Sequence, residues 1–265
     1  MSKQSKLEKF LKIYLEKRPI SHVLWRSAEY RELIRLNMNK PILDLGCGDG
    51  FFASILFDSG VDAGIDMNKK EVNKASSLKV YKELYAIDAK KMPFASKKFN
   101  TVLSNCVMEH VKPLDEVLEE VSRVLKKNGI FIFTVPSDYF NKMLFFPNIF
   151  RKFGLGLMEE IYIKNFNKVL EHLYVRGPNF WRERLKKVGL RMISYKYFMD
   201  SKAMMVFDLI TPFGAISRLW LKVFNKRTIT PRFLWTWLIK GYFYNLIKND
   251  CKFGGGLIMI AKKYK

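Results

Sequence analysis

The sequence has few cysteines, and they form no recognisable pattern. Cys47, Cys106 and Cys251 are odd in number, lie far apart and include no CxxC pair. Such spacing indicates neither a disulfide framework nor a zinc knuckle. We therefore expect a protein of the reducing cytoplasm.

Acidic residues are scarce relative to basic ones. The 265 residues include 47 Lys and Arg against 25 Asp and Glu, a formal net charge of +22. This excess attracts anions, so nucleic acid, anionic lipid and acidic substrates are the candidate partners. With 49% hydrophobic and 15% aromatic residues the chain is globular, and its length allows one large domain with insertions or two domains.

Long apolar runs and internal repeats are also missing. A transmembrane helix needs about 20 predominantly apolar residues. The N-terminal stretch interleaves apolar residues with lysines, which is typical of an amphipathic helix and not of a signal peptide, so we expect it to remain on the protein. The most hydrophobic region, residues 201–253, is interrupted by Asp208, Pro212, Arg218, Lys222 and Lys240.

Val- and Ile-rich runs alternate with helical patterns from residue 41 onwards. This alternation predicts an α/β fold, with a parallel sheet and helices on both faces. The helix that begins at Leu114 shows the pattern most clearly, with an apolar stripe, early acids, late lysines and Gly129 to stop it. Two basic amphipathic helices precede this alternation of strand and helix patterns, and the segment GGGLIMIAKKYK predicts a final strand.

The stretch PILDLGCGDG, residues 41–50, ends a predicted strand in three alternating glycines. At the carboxyl end of a strand in an open α/β sheet, glycines let a ligand approach the main chain and the next helix begins with free amides. The order differs from the dinucleotide fingerprint GxGxxG, and Asp49 would repel a pyrophosphate. A nicotinamide cofactor is therefore disfavoured.

Acids stand at the ends of the next two predicted strands. Asp66 in GIDMN follows Gly46 by about 20 residues, the separation at which an acid accepts hydrogen bonds from ribose hydroxyls. Alone, the glycine turn could be no more than a tight turn, and Asp66 and Asp88 could each cap a helix or a turn. Together these three strand ends converge on one crevice, which predicts a ribose-containing ligand.

The sequence resembles the class I S-adenosylmethionine-dependent methyltransferases, particularly the broad group that acts on small molecules. The resemblance covers residues 41–137 and, loosely, the last two strands. It implies a Rossmann-like seven-stranded sheet whose last strand, about residues 256–262, lies antiparallel beside the fifth, with helical insertions and an N-terminal helical cap. The motifs that carry it are ILDLGCGDG, GIDMN, YAIDAKKMPF, FNTVLSNCVMEHV and VSRVLKKNGIFIFTVPS.

The resemblance also implies the cofactor, S-adenosyl-L-methionine, and its binding residues. In the family the glycine turn passes under the methionine part, an acid holds the ribose, and an aspartate after the third strand binds the adenine amino group. Further positions pack on the adenine, face its ring through a backbone amide, or meet the reactive end of the cofactor. In that order the matching residues are Asp44 with Gly46, Cys47 and Gly48, then Asp66, Asp88, Met67, Ala89 and Asn105.

Two of the three histidines are candidate catalytic bases. Methyl transfer to a hydroxyl needs a group that takes the proton. His110 lies just beyond the fourth predicted strand, and His172 lies at the end of the first insertion, where it could face the substrate. The alternative for both is packing or helix capping, and His22 is expected to be structural.

The pair Glu109-His110 raises the question of a metal ion. Methyltransferases of ubiquinone biosynthesis and of small-RNA 3′ ends have a glutamate three residues before such a pair, and these groups help hold a divalent ion. Here that position is Cys106. A site of Cys106, Glu109 and His110 would be chemically odd for magnesium, so we predict no metal and expect Cys106 to pack below the cofactor.

Residues 201–253 mix Trp, Phe, Tyr and Leu with Lys and Arg. Helices of this composition suit an anionic membrane interface; a cap on the protein's own core, a subunit interface or an RNA-binding surface are the alternatives. The aromatics are contiguous with Leu, Ile and Met, which favours lipid or protein. The loop SNCVMEHV lacks the Asn/Asp-Pro-Pro-Tyr type of sequence that base N-methyltransferases use, which argues against base methylation.

These observations predict O-methylation of an amphiphilic small molecule, such as a lipid, a quinone precursor or a lipid-linked sugar, at the inner face of a membrane. An RNA ribose or end methyltransferase and a non-catalytic cofactor-binding protein are the alternatives. The predicted division of the chain is 1–40 (helical cap), 41–137 (cofactor-binding core), 138–177 (substrate-side insertion), 178–200 (core helix and strand), 201–253 (hydrophobic, basic insertion) and 254–265 (last strand).

Overall fold

The computed structural model describes residues 2–224 and 232–264, and the side chains of these except 213–224 and 232–237. The strands are β1 (Ile42–Leu45), β2 (Val61–Asp66), β3 (Tyr81–Ala86), β4 (Phe99–Asn105), β5 (Leu125–Pro136), β6 (Leu190–Phe198) and β7 (Gly256–Lys263). The helices are α1 (Lys3–Lys17), α2 (Ile20–Leu33), α3 (Phe51–Leu56), α4 (Lys69–Ser77), α5 (Leu114–Val124), α6 (Phe145–Lys152), α7 (Gly156–Val169), α8 (Pro178–Lys187), α9 (Ser201–Phe224) and α10 (Arg232–Ile247).

The seven strands form one sheet in the order β3-β2-β1-β4-β5-β7-β6. Strands β1 to β5 are parallel, with Leu43 of β1 opposite Ala63 of β2 on one side and Val102 of β4 on the other. All four residues of β1 are buried, as expected of a strand covered on both faces. The predicted Rossmann-like sheet is confirmed, including an antiparallel last strand beside the fifth.

The chain divides into two compact units. Residues 1–35, 138–170 and 197–256 form the helical unit, and residues 36–137, 171–196 and 257–265 form the sheet unit. The six-part division made from the sequence stays a prediction.

In the sheet unit, α5 ends five residues before the predicted stop at Gly129. Its apolar stripe is buried as predicted. Leu125, however, has an extended backbone and pairs with Phe99 as the first residue of β5, and the register then jumps to Thr101 opposite Ile130. Leu125 is fully buried, so its packing on β4 ends the helix despite the helix-forming lysines that follow.

In the helical unit, α2 differs from its prediction as an amphipathic helix, because most of its residues are buried. Its buried charged residues have hydrogen-bond partners within the helical unit. The indole of Trp25 donates to Glu29 at 3.0 Å, and the guanidinium of Arg31 bonds Glu32 and the main-chain carbonyl of Ile247. The surrounding layer of aromatic rings covers this helix, since the Trp25 ring also contacts those of Phe140, Phe198 and Phe207.

In region 201–253, the first turns of α9 and the last turns of α10 contribute buried side chains to the core of the helical unit. Their described buried side chains include Met204 and Phe207 of α9 and Phe243 and Ile247 of α10. Membrane contact by region 201–253 stays a prediction, and the side chains of two of its tryptophans, Trp235 and Trp237, lie outside the described residues. Among the described helices, none combines the length and the apolar character needed to cross a membrane.

Candidate functional site

The turn after β1 brings main chain to the surface of the sheet unit. Gly46 and Gly48 have φ angles of 76° and 53°, which favour glycine, and the amides of Gly46 and Cys47 donate to the carbonyl of Ile65 at 2.8 and 3.0 Å. A Cβ at position 46 would lie 2.2 Å from a methyl of Val107, whereas one at position 48 would meet nothing within 4 Å. The turn is therefore packed from below and open above Gly48, as a cradle for a ligand requires.

Asp66 joins this turn to the end of β2. One carboxylate oxygen accepts the amide of Gly48 at 2.9 Å, and the other accepts the amide of Asn68 at 2.8 Å. Each oxygen has a further lone pair, so the carboxylate can still accept from ribose hydroxyls. The structure thus brings Asp66 and the glycine turn together as the sequence predicts.

Asp44 is held by a residue that the sequence did not reveal. The Tyr81 hydroxyl donates to the Asp44 carboxylate at 2.6 Å, and Asp44 is buried. Burial and the charge of Asp44 raise the pKa of Tyr81, so the phenol remains a hydrogen-bond donor. The available signal was that a tyrosine opening a strand next to β2 has a polar tip that needs a partner when the ring is covered.

Cys47 in the same turn is not a reactive thiol. Burial and the charges of Asp44 and Asp66 raise the pKa of its thiol. The neutral form is the poor nucleophile. Cys47 therefore contributes its backbone and a small side chain to the turn.

Asp88 follows β3 and is half exposed. One oxygen accepts the amide of Lys90 at 3.0 Å and the other lies 3.1 Å from the Lys90 ammonium, which together lower the pKa of the carboxyl. The turn-cap role weighed from the sequence is thus real, and lone pairs remain for an adenine amino group. The amide of Ile87 donates to the carbonyl of Asp66 at 2.9 Å, which links the two strand ends, and Met67, which follows Asp66, is 80% exposed.

Asn105 ends β4, next to β1 in the sheet. Its amide oxygen accepts the hydroxyl of Thr134 at 2.6 Å, which fixes the orientation of the amide. The following residue, Cys106, has a φ of 54° and donates its amide to the Thr134 carbonyl at 3.1 Å. Ala89, which follows the end of β3, is half-buried. The predicted cofactor residues therefore occupy the carboxyl ends of β1 to β4.

The structure brings His172 to His110, 62 positions away. Their ring centroids are 5.6 Å apart, and Nδ1 of His110 lies 2.9 Å from the carbonyl oxygen of Glu171. The amides of Leu173 and Tyr174 donate to the carbonyl of Glu109 at 2.8 and 3.2 Å, which fixes the two segments together. The sequence placed both histidines as candidate bases without showing that they meet.

The environment of this pair keeps His172 in its neutral form, the form that is able to accept a proton. Burial and the proximity of His110 lower the pKa of His172 to about 3, so its imidazole is neutral at physiological pH. Because a carbonyl oxygen only accepts, Nδ1 of His110 carries a hydrogen. Nε2 of His110 lies 3.6 Å from a carboxylate oxygen of the buried Glu109.

Glu109, His110 and His172 could also hold a metal ion. Each offers one ligand atom, and these atoms lie within 4.8 Å of one another. Two imidazoles and a carboxylate suit a borderline divalent ion better than magnesium. Among the described residues this group includes His172 and not Cys106, so the donor set differs from the one weighed in the sequence. The absence of a metal stays a prediction.

The sequence of this chain is similar to those of known proteins. A family model described as a methyltransferase domain matches residues 36–172, which is 137 of 265 residues. An uncharacterized protein of Methanocaldococcus jannaschii is 30% identical over 191 residues, 69% of this chain and 68% of its own length.

Two named relatives match over shorter segments. The ubiquinone biosynthesis O-methyltransferase of Pelagibacter ubique is 35% identical over 99 residues, 35% of this chain and 40% of the relative. The fatty-acid O-methyltransferase of Mycolicibacterium smegmatis is 36% identical over 101 residues, 36% of each protein. The chain thus spans well under half the length of these two relatives.

A solved structure extends the likeness to the whole fold. A SAM-dependent methyltransferase of Thermotoga maritima superposes with a TM-score of 0.56 at 16% identity, covering 100% of both chains. Such identity shows the fold alone, but the family match over residues 36–172 spans the glycine turn, Asp66 and Asp88. The chain therefore belongs to the class I S-adenosylmethionine-dependent methyltransferases.

Proposed function

We propose that this enzyme methylates a hydroxyl oxygen on an amphiphilic small molecule, such as a lipid, a quinone precursor or a lipid-linked sugar, at the inner, cytoplasmic face of a membrane. The observation that carries the assignment to oxygen is the pairing of His172 with His110 in the sheet unit. A hydroxyl must lose a proton as the methyl group arrives, and a neutral imidazole accepts it. A carboxylate acceptor would need no such group, which favours a hydroxyl.

The cofactor and the residues of the protein would make different contributions to methyl transfer. The cofactor supplies a methyl group on a sulfonium that is already a good leaving group, so the protein mainly aligns the reactants and moves a proton. The glycine turn, Asp44, Asp66 and Asp88 would hold the cofactor. His172 would accept the hydroxyl proton, and the carboxylate of Glu109, with an oxygen within 4.8 Å of a ring nitrogen of His172, would offset the resulting charge.

Two observations support an amphiphilic acceptor. The helical unit exposes large apolar side chains, with Phe153 70% and Leu157 72% exposed. Relatives that share the methyltransferase segment are named for ubiquinone biosynthesis and for fatty-acid O-methylation.

Transfer of a labelled methyl group tests the acceptor class. Incubating the protein with methyl-labelled S-adenosylmethionine and separate lipid and RNA extracts should place the label in the lipid fraction. A methyl ether, the product expected of a hydroxyl, should survive mild alkali, whereas a methyl ester should lose its label. Label in the RNA fraction would instead support the ribose or end methyltransferase, and heat-inactivated protein is the control.

Peripheral binding to anionic membranes is the second expectation. Each Lys or Arg near an anionic surface contributes about 1 kcal/mol, and each inserted apolar side chain roughly 1.5 to 3 kcal/mol, so a few of each reach the roughly 8 kcal/mol of micromolar binding. The protein should float with anionic vesicles at low salt, and high salt should weaken the binding without abolishing it.

Two double variants should show which surface inserts. Phe153→Ser with Leu157→Ser removes the exposed apolar residues of the segment around α7, and Trp235→Ala with Trp237→Ala tests residues 201–253. Failure of the unaltered protein to float with anionic vesicles at low salt would remove the membrane from the proposal.

A further inference from the structure

An apolar groove lies within the helical unit, beside α7. It has a volume of about 470 Å³ and is lined chiefly by Phe150, Ile161, Phe166, Val169 and Pro212. Volumes of about 300 to 1,000 Å³ are typical of small-molecule sites. The groove opens to solvent along the exposed side of α7, where Ile161 is 51% and Val169 60% exposed.

The polar groups of the lining are directed elsewhere. The Tyr162 hydroxyl donates to the carboxylate of Asp208, and the Thr211 hydroxyl donates to the main-chain carbonyl of Phe207 at 2.7 Å. Asn165 supplies the remaining polar side chain of the lining, at an exposed position. The interior of the groove therefore offers dispersion contacts rather than hydrogen bonds, which excludes a polar ligand there.

The wall of the groove is fixed by a buried carboxylate. Asp208 of α9 is fully buried and accepts the amide of Phe146 at 3.0 Å as well as the Tyr162 hydroxyl. These bonds tie α6, α7 and α9 together at one point. A groove braced in this way is preformed, and a preformed site saves part of the ordering cost of binding.

We propose that this groove binds one aliphatic chain of an amphiphile with an anionic head. A volume of about 470 Å³ lies in the range of small-molecule sites and leaves room for one aliphatic chain of medium length. Lys164 and Lys168 of α7 are exposed and follow Ile161 by three and seven residues, so helical spacing puts them on the same side of the helix, where they complement an anionic head group. The inference goes beyond the proposed function, because binding of the chain does not require methyl transfer.

Calorimetric titration of the delipidated full-length protein tests the proposal without the cofactor. The probes are decanoate, dodecanoate and tetradecanoate, each below its critical micelle concentration, and dodecyltrimethylammonium as the cation of matched chain length. We expect saturable binding of one molecule per protein, tightening roughly threefold to fourfold per added methylene. Dodecanoate should bind more tightly than the cation.

Charge placed inside the groove should abolish this binding selectively. Ile161→Glu alters the lining at a half-exposed position and should weaken dodecanoate at least tenfold. Leu157→Glu, on the same helix but outside the lining, is the matched control and should leave the affinity unchanged. Val169→Glu is the second lining variant, and melting curves verify that each variant is folded.

Three results would overturn the proposal or its assignment of the head group. Absence of saturable binding by the unaltered protein would show that the groove takes no chain. Equal effects of Ile161→Glu and Leu157→Glu would show that the apolar face of α7 acts as a membrane surface rather than as a site for one chain. Equal affinity for the matched anion and cation would overturn the assigned head-group charge.

Discussion

Replacing Asp66 by alanine is expected to weaken S-adenosylmethionine binding by roughly 1 to 3 kcal/mol, about fivefold to 150-fold. The variant loses charge-assisted bonds to the ribose hydroxyls. It also removes the oxygen that accepts the Gly48 amide at 2.9 Å, so the glycine turn loses part of its support. Calorimetric titration with the cofactor measures the change directly.

Two further variants separate the ribose contact from support of the turn. Asp66→Asn keeps an oxygen for the Gly48 amide but lacks the charge, and should fall between the unaltered protein and Asp66→Ala. Asp62 lies on the same strand and also accepts a main-chain amide, that of Ile42 at 2.8 Å, so Asp62→Ala controls for general damage to β2. An affinity for Asp66→Ala equal to that of the unaltered protein would mean that the ribose lies elsewhere.

The cofactor-binding half of the fold was predictable because its signals are local. Each strand of the parallel core is a short apolar run, and each functional group stands at the end of such a run. The carboxyl ends of neighbouring parallel strands share one edge, so Asp44, Asp66 and Asp88 had to converge once the sheet was recognised. The position of β7 beside β5 came from the resemblance and not from the pattern of the strand itself.

Contacts between distant segments of the chain could not be predicted from the sequence. Nothing in the pattern around Tyr81 specified that its hydroxyl would reach Asp44, and nothing near His172 indicated that the Glu109 carbonyl would anchor its segment. The end of α5 depends similarly on the burial of Leu125 against β4, which outweighs the local helix propensity of the lysines after it. In each case tertiary packing decides between local alternatives of similar energy.

The prediction of α2 as an amphipathic helix was wrong for a similar physical reason. Its sequence alternates apolar and charged residues, which indicates one exposed face. The structure instead covers the charged face, where Glu29 bonds Trp25 and Arg26 of the same helix and Arg31 bonds the main-chain carbonyl of Ile247 in α10. Burial of polar residues is tolerated where partners are supplied, and partners from other helices cannot be read from one helix.

The candidate base yields the prediction with the largest effect. His172→Ala is expected to lower turnover by about 10² to 10⁴-fold, the usual contribution of a positioned proton acceptor, while the affinity for S-adenosylmethionine holds. The methyl-transfer assay with the acceptor fraction identified by labelling measures turnover, and calorimetry measures the affinity. His22→Ala, which alters an exposed histidine of α2, is the matched control and should retain full activity. Full turnover by His172→Ala would remove His172 from the mechanism.

The pH dependence distinguishes a base from a metal ligand at the same position. Burial lowers the pKa of His172 to about 3, and a base acts in its unprotonated form, so this residue is competent above about pH 3. Protonation of His172 should therefore cause no loss of turnover on acidification from pH 7 to pH 5. A fall in turnover on acidification with an apparent pKa near 6.5, the ordinary value for histidine, that is lost in His172→Ala would contradict the lowered pKa of this residue. Since we predict no metal, prior treatment with a chelator should leave turnover unchanged; a loss restored by a divalent ion would make His172, His110 and Glu109 its ligands instead.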